Sequence, residues 1–177
     1  MNKNIYLIGM MGSGKSTISK DLSKRLKYNC LDTDKLIVKN SKYKSIPEIF
    51  DKKGESYFRD LEAKSLDYFD NKKGFVIATG GGIILNKKNV KKMKENGIVI
   101  YLYASIKTLV KRIINSKGRP LLKDNSLKKK LTSIFDKRKL KYIQASDLKI
   151  DTNKLNEKET VDKIINTLEE KYEDFNC

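Results

Sequence analysis

Apolar residues along the 177-residue chain gather into short runs separated by stretches with helical spacing. The runs at 5–9 (IYLIG), 29–33 (NCLDT), 75–79 (FVIAT), 98–103 (IVIYLY) and 148–152 (LKIDT) read as five strands. Between and after them, the spacing of Ile18, Leu22 and Leu26, of Leu109, Ile113 and Ile114, and of Val161, Ile164, Ile165 and Leu168 predicts helices that each bury one face. Strands alternating with helices predict an α/β fold in three layers, a five-stranded parallel sheet with helices on both faces. Ser45, Pro47 and Glu48 in SIPEIF form a capping-box-like helix start, and a longer helical pattern through Phe58, Leu61, Leu66 and Phe69 follows Gly54. This predicts a helical insertion over residues about 34–70, large enough to bind a substrate. The polar stretch NSKGRPLLKDNS carries Gly118 and Pro120 and reads as a mobile loop, a lid over residues about 113–125. Residues 1–33, 71–112 and 127–177 are left as the core of a single domain. Neither internal repeats nor interdomain linkers are visible.

Composition narrows the class. With 38% apolar and 34% charged residues, the chain is expected to be a globular protein with a sizeable core. No apolar run reaches the about 20 residues of a membrane helix. The apolar start is broken by Gly9, Gly12, Gly14 and Lys15 with no small-residue cleavage site after it, so a cytoplasmic location without a membrane partner is expected. Cys30 and Cys177 are too few for a disulfide framework and read as free thiols of a reducing compartment, without a catalytic role. A net charge of +17 raises the question of nucleic acid. The lysines, however, are spread over the polar sides of helical patterns, with no basic tail and no interleaved aromatic platform, so no specific nucleic-acid partner is expected. Against thirty-four lysines stand five arginines, Arg25, Arg59, Arg112, Arg119 and Arg138. Arginine offers a planar fork for carboxylate or phosphate that lysine cannot copy, which marks these positions for inspection. Arg25, on the outer side of the first helix, is the one expected to be incidental.

Candidate chemistry collects at the ends of three predicted strands. Gly9, Gly14, Lys15 and Ser16 satisfy G-x-x-x-x-G-K-[ST] between a strand and a helix, the context in which that pattern cradles phosphate. Backbone N–H groups of the glycine-rich turn wrap phosphate oxygens at a helix N-terminus, Lys15 reaches the terminal phosphates, and the Ser16 hydroxyl can ligate magnesium. A nucleoside triphosphate, ATP, is expected here. LDTD places Asp32 and Asp34 at the carboxyl edge of the sheet, where ligands of such folds bind. Strand alternation would point both side chains the same way, one toward a magnesium shell and the other toward an acceptor hydroxyl. A helix N-cap at Asp34 is the structural alternative, compatible with catalysis. The chain contains no histidine, which leaves carboxylates as candidate bases. TGGG, Thr79 to Gly82, ends the third strand and permits close approach of a ligand, as a substrate wall.

Taken together, GMMGSGKST, LDTD, FRDLE, ATGGG, GRPLL and RKLKY resemble, in order and spacing, the motifs of the shikimate kinases, nearly end to end. The resemblance implies a nucleoside-monophosphate-kinase-like fold and transfer of the ATP γ-phosphoryl group to the 3-hydroxyl of shikimate, on the route to chorismate and aromatic amino acids. By position it implies ATP binding by Gly12, Ser13, Gly14, Lys15, Ser16 and Thr17. Arg119 of the lid would approach the phosphates, and Arg112 at its base would contact the nucleotide. Asp34 would contact the ring hydroxyls, Arg59 and Arg138 the substrate carboxylate, and Gly80, Gly81 and Gly82 would line that pocket. Lys15, Asp34 and Arg119 would carry catalysis. Magnesium would lie by Ser16 and Asp32, since the third strand has no acidic residue after its apolar run. Near DTNKLN, where the family often has an arginine beside adenine, the candidates are Asn153, Lys154 and Leu155, with Lys154 preferred. A monomer with shikimate and ATP as its partners is expected. The nearest alternative is another small-molecule kinase of this fold, acting on gluconate or a nucleoside monophosphate, for which a second acceptor phosphate would call for more cations than Arg59 and Arg138.

Overall fold

The computed structural model describes residues 3–116 and 125–172. In chain order the elements are β1 (Asn4–Ile8), α1 (Lys15–Leu26), β2 (Asn29–Asp32), α2 (Thr33–Lys39), α3 (Ile46–Asp67) and β3 (Phe75–Ala78). A 3-10 turn at Ile83–Leu85 leads to α4 (Lys87–Asn96), followed by β4 (Gly97–Tyr103), α5 (Ile106–Ser116), α6 (Asn125–Ala145), β5 (Leu148–Asp151) and α7 (Glu157–Lys171). All five strands are parallel, in the order β2-β3-β1-β4-β5, with Leu7 of the central strand opposite Ala78 on one side and Ile100 on the other. The five predicted strands, the helices between them and the parallel three-layer architecture are all present.

Buried side chains divide by face as strand alternation requires. Ile5, Leu7, Ile98, Ile100, Leu148 and Ile150 pack against Ile18 and Leu22 of α1 and Val161, Ile164 and Leu168 of α7. Tyr6, Ile8, Ile77, Val99 and Tyr101 face the other way, against Leu66, Met93, Leu109, Leu131 and Tyr142 from α3 to α6. A third, smaller cluster of Ile37, Tyr43, Ile49 and Phe58 holds α2 against the start of α3. Within α3, Gly54 adopts φ 78° and ψ 177°, a conformation open to glycine, and divides the helix into two arms. Ser45 caps that helix through Glu48 N–H, while Glu48 reaches back to Lys44 N–H, one residue before the cap. Arg25 makes an ion pair with Asp162 that leaves both side chains about half exposed, as an incidental surface arginine would. Among the described residues no helix is long and apolar enough to cross a membrane.

From the central β1 the chain crosses to β2 at one edge, returns to β3 beside β1, and then passes over to β4 and β5 on the other side. The reversal brings the carboxyl ends of β1, β2 and β3 together with the turn that opens α1. Sheet closure there is tight at the opposite edge too. A β-carbon on Gly97 would run into the Asn4 carbonyl of the neighbouring strand. Gly97→Ala is therefore expected to cost about 1–3 kcal/mol of stability, read as a lowered thermal midpoint with the strand content retained.

Candidate active site

The turn between β1 and α1 is built on positive φ at Gly9 (147°), Gly12 (78°) and Gly14 (94°), which aims consecutive N–H groups into one concavity. Lys15 folds back over it, donating from Nζ to the carbonyls of Gly9 (2.8 Å) and Met10 (2.9 Å). Burial pushes its ammonium down to about 8, against the opposing pull of Asp34 and Asp32, so Lys15 stays cationic at neutral pH. Ser16 donates from Oγ to Asp32 Oδ2 at 2.8 Å, placing a hydroxyl and a carboxylate side by side at the mouth of the loop.

Two cavities meet at this loop. One, of about 500 Å3, lies between the loop, Asp34, Arg59, the Gly80–Gly82 turn and Arg138. The other, of about 880 Å3, lies on the far side, between the loop, Arg112, Leu155 and Thr160. Met11, Gly12, Gly14 and Thr17 line both. A donor phosphate seated on the loop would thus separate a nucleotide-sized space from an acceptor-sized one.

The acceptor-side cavity is lined by charge held in place. Arg59 donates from Nη1 to Glu62 Oε2 (2.8 Å) and from Nη2 to Glu55 Oε1 (2.8 Å), while Arg138 donates from Nη1 to the Gly81 carbonyl at 3.1 Å. Gly80–Gly82 makes room for this. A β-carbon at Gly80 would lie 2.7 Å from Glu62 Oε1 and 2.8 Å from Asp34 Oδ1, and one at Gly82 would fall within the Arg59 guanidinium. Asp34 Oδ1 and Glu62 Oε1 are buried and accept no hydrogen bond from the described residues. Burial raises the pKa of Asp34, with Asp32 adding to the effect and Lys15 and Arg59 opposing it; burial likewise raises Glu62, against Arg59. An acceptor oxygen of this kind is suited to take a hydrogen bond, and then a proton, from an alcohol.

Several expectations are sharpened or corrected. β2 ends at Asp32, one residue earlier than expected, and Asp32 rather than Asp34 caps α2, accepting from Asp34 N–H (3.0 Å) and Lys35 N–H (3.4 Å). Asp34 therefore reaches the cavity from the first turn of a helix, not by strand alternation. Arg112 lies in the second cavity, its fork gripping the Thr152 hydroxyl (3.0 Å) and carbonyl (2.6 Å). Lys154 is exposed, and the residues after it, Leu155 and Asn156, line that cavity instead. Asn153 is engaged internally, accepting from Ser105 N–H and Thr108 Oγ1. The expected lid is helical as far as Ser116. Its remainder up to 124, with Arg119, lies outside the described residues, as does Cys177. Two side chains that build the site were not singled out by sequence. Glu62 is only 1% exposed beneath Arg59, and its signal was the i,i+3 spacing within FRDLE. Thr33, fully buried between the two aspartates, accepts from Gly80 N–H at 3.1 Å and ties α2 to the glycine turn.

This constellation has close counterparts. The shikimate kinase family model matches residues 11–169. The chain belongs to the shikimate kinase family. Its relatives include the shikimate kinase of Persephonella marina, 46% identical over 85% of this chain and 89% of that protein. Shikimate kinase from Acinetobacter baumannii, solved in complex with shikimate, superimposes with a TM-score of 0.85 at 35% identity, covering 96% of this chain and 95% of that one. The Aquifex aeolicus shikimate kinase superimposes with a TM-score of 0.80 at 37% identity, covering 94% and 96%.

Two measurements probe the charged wall of this family member. In Gly80→Ala the new methyl displaces Asp34 and Glu62 together, and the acceptor kcat/KM should fall roughly 10–100-fold while the KM for ATP stays within about twofold. Asp34 has a native pKa above its unfolded value of 3.8, so its contribution to stability is present below that value and lost as pH rises through the raised one. Asp34→Asn, neutral throughout, should therefore melt higher than the unsubstituted protein at pH 7, lose that advantage in acid, and turn over roughly 100-fold or more slowly. Equal melting of the two at pH 7 would contradict the buried charge.

Proposed function

We propose that this chain transfers the γ-phosphoryl group of ATP to the 3-hydroxyl of shikimate, giving shikimate 3-phosphate and ADP for aromatic amino acid biosynthesis. Family membership makes it an ATP-dependent kinase of a shikimate hydroxyl. The observation that carries the finer reading is the pair of cavities sharing the phosphate loop, one of them walled by two arginines and a buried aspartate.

In this reading, ATP lies in the larger cavity with its base near Arg112 and Leu155 and its phosphates on Gly12–Thr17. Lys15 would exchange the Gly9 and Met10 carbonyls for phosphate oxygens. Arg59 and Arg138 form two forks for the single carboxylate of shikimate, which leaves the ring hydroxyls toward Asp34. Asp34 accepts a hydrogen bond from the attacking hydroxyl and then its proton, or orients the hydroxyl for in-line attack. Its raised pKa favours it as a proton acceptor late in transfer. Ser16 and Asp32 fit magnesium: both present hard oxygen atoms, 2.8 Å apart, at the point where the terminal phosphates would arrive. Magnesium there would neutralise charge on the transferring phosphoryl group. Arg119 is proposed to add a cation over the phosphates. In this reading the enzyme works as a monomer in the cytoplasm with ATP and shikimate as its partners, and the reaction calls for neither a nucleic-acid nor a membrane partner.

ADP release with ATP and magnesium should depend on shikimate and not on gluconate or nucleoside monophosphates; stimulation by gluconate or a nucleotide instead would favour the alternative kinase. Arg59→Ala and Arg138→Ala should each raise the KM for shikimate roughly 10–100-fold, with the KM for ATP within about threefold. Unchanged shikimate affinity in both variants would refute the carboxylate assignment.

A further inference from the structure

We propose that Tyr142 is a positioning residue of the acceptor pocket: its hydroxyl pins the Gly81 carbonyl on which the Arg138 guanidinium rests, and thereby sets affinity for the acceptor carboxylate without touching it. The inference rests on the reading of the pocket given above.

Tyr142 and Arg138 are one turn apart on α6, so they share a face of that helix. Both donate to the same atom. Tyr142 O–H reaches the Gly81 carbonyl at 2.6 Å and Arg138 Nη1 reaches it at 3.1 Å. A carbonyl has two lone pairs, and two donors from one helix occupy them both. The glycine turn is thereby fixed to α6, and the arginine is fixed to the turn.

The tyrosine itself has little freedom. It is fully buried, and its ring stacks on Tyr101 of β4 with centroids 4.9 Å apart and planes at 12°. Burial also holds its phenol near 12, so the hydroxyl remains a donor across the working pH range. Unlike Arg138, Tyr142 does not line the cavity, so an effect on acceptor binding has to pass through the turn. At Gly81 there is little slack: a β-carbon would lie 3.3 Å from the Gly9 carbonyl and 3.8 Å from Met11 N, against the phosphate loop. Without the tyrosine hydroxyl, Arg138 would be the carbonyl's one side-chain donor among the described residues, and the two could shift together away from the position that matches the substrate.

Tyr142→Phe keeps the ring and removes only the donor. The KM for shikimate is expected to rise about 3- to 10-fold, with kcat and the KM for ATP within about twofold. In an Arg138→Ala background the same substitution should add less than about twofold, because the group it positions is gone. Tyr101→Phe, a change in the same stacked pair away from the turn, should leave the KM for shikimate unaltered. An unchanged shikimate KM in Tyr142→Phe, a parallel rise in both KM values, a full effect in the Arg138→Ala background or an equal effect of Tyr101→Phe would each overturn the proposal. Should Tyr142→Phe fail to fold, the unsubstituted protein decides: the Tyr142 hydroxyl proton should exchange slowly in NMR spectra with and without shikimate, and rapid exchange would refute the pinned carbonyl. Absence of shikimate-dependent turnover in the unsubstituted enzyme would instead refute the proposed function.

Discussion

Charged side chains approach the backbone of Gly80 and Gly82 more closely than any residue with a β-carbon would allow, and the acceptor side of the site depends on that approach. Through it, Asp34 and Glu62 sit beneath the turn, Arg59 lies across Gly82, and Arg138 and Tyr142 share the Gly81 carbonyl. Thr33 closes the arrangement by accepting from Gly80 N–H. These attachments come in pairs from α2, α3 and α6, so the turn after β3 is the point where the three helices are held in register with the sheet. A displaced turn would misplace four cavity-lining side chains at once, Asp34, Arg59, Glu62 and Arg138.

Burying carboxylates carries a desolvation cost that only partners can offset. Glu62, almost fully enclosed, is kept by its ion pair with Arg59, and the pair in turn holds the guanidinium facing the cavity. Asp34 keeps a buried oxygen without a donor among the described residues, and that unmet capacity is what a substrate hydroxyl can satisfy. The same logic applies to Lys15, whose ammonium is provisionally met by two carbonyls of its own loop. Sites of this kind trade stability for readiness, since groups satisfied by the substrate are only partly satisfied without it.

Topology explains how motifs far apart in sequence come to act together. A central β1 with crossovers in opposite directions leaves a crevice at the carboxyl ends of the strands, and parallel pairing puts the ends of β1, β2 and β3 at the same level. The phosphate loop therefore stands between two spaces rather than at the bottom of one. Phosphoryl transfer needs little more from a protein than positioning and charge neutralisation, and a shared wall supplies the first of these.

Much of this was legible beforehand. Alternating apolar runs and helical spacing suffice for the parallel three-layer sheet because burial on both faces dictates the pattern. The phosphate loop is equally local: its glycines, Lys15 and Ser16 are close neighbours whose backbone geometry is set within the segment. Arginine among so many lysines likewise marked Arg59, Arg112 and Arg138, since a planar fork is hard to replace. What the chain's order of residues could not convey was partnership across elements. That Asp32 caps α2 while Asp34 faces the cavity turned on where β2 ended, a matter of one residue. Glu62 reads as an ordinary helix-surface acid until Gly80 and Arg59 enclose it, and Tyr142 reads as core until its hydroxyl is seen on a carbonyl 61 residues away. Short-range chemistry is written in neighbouring residues; burial, and the pairing of charges that burial compels, exist only once the sheet has brought distant segments together.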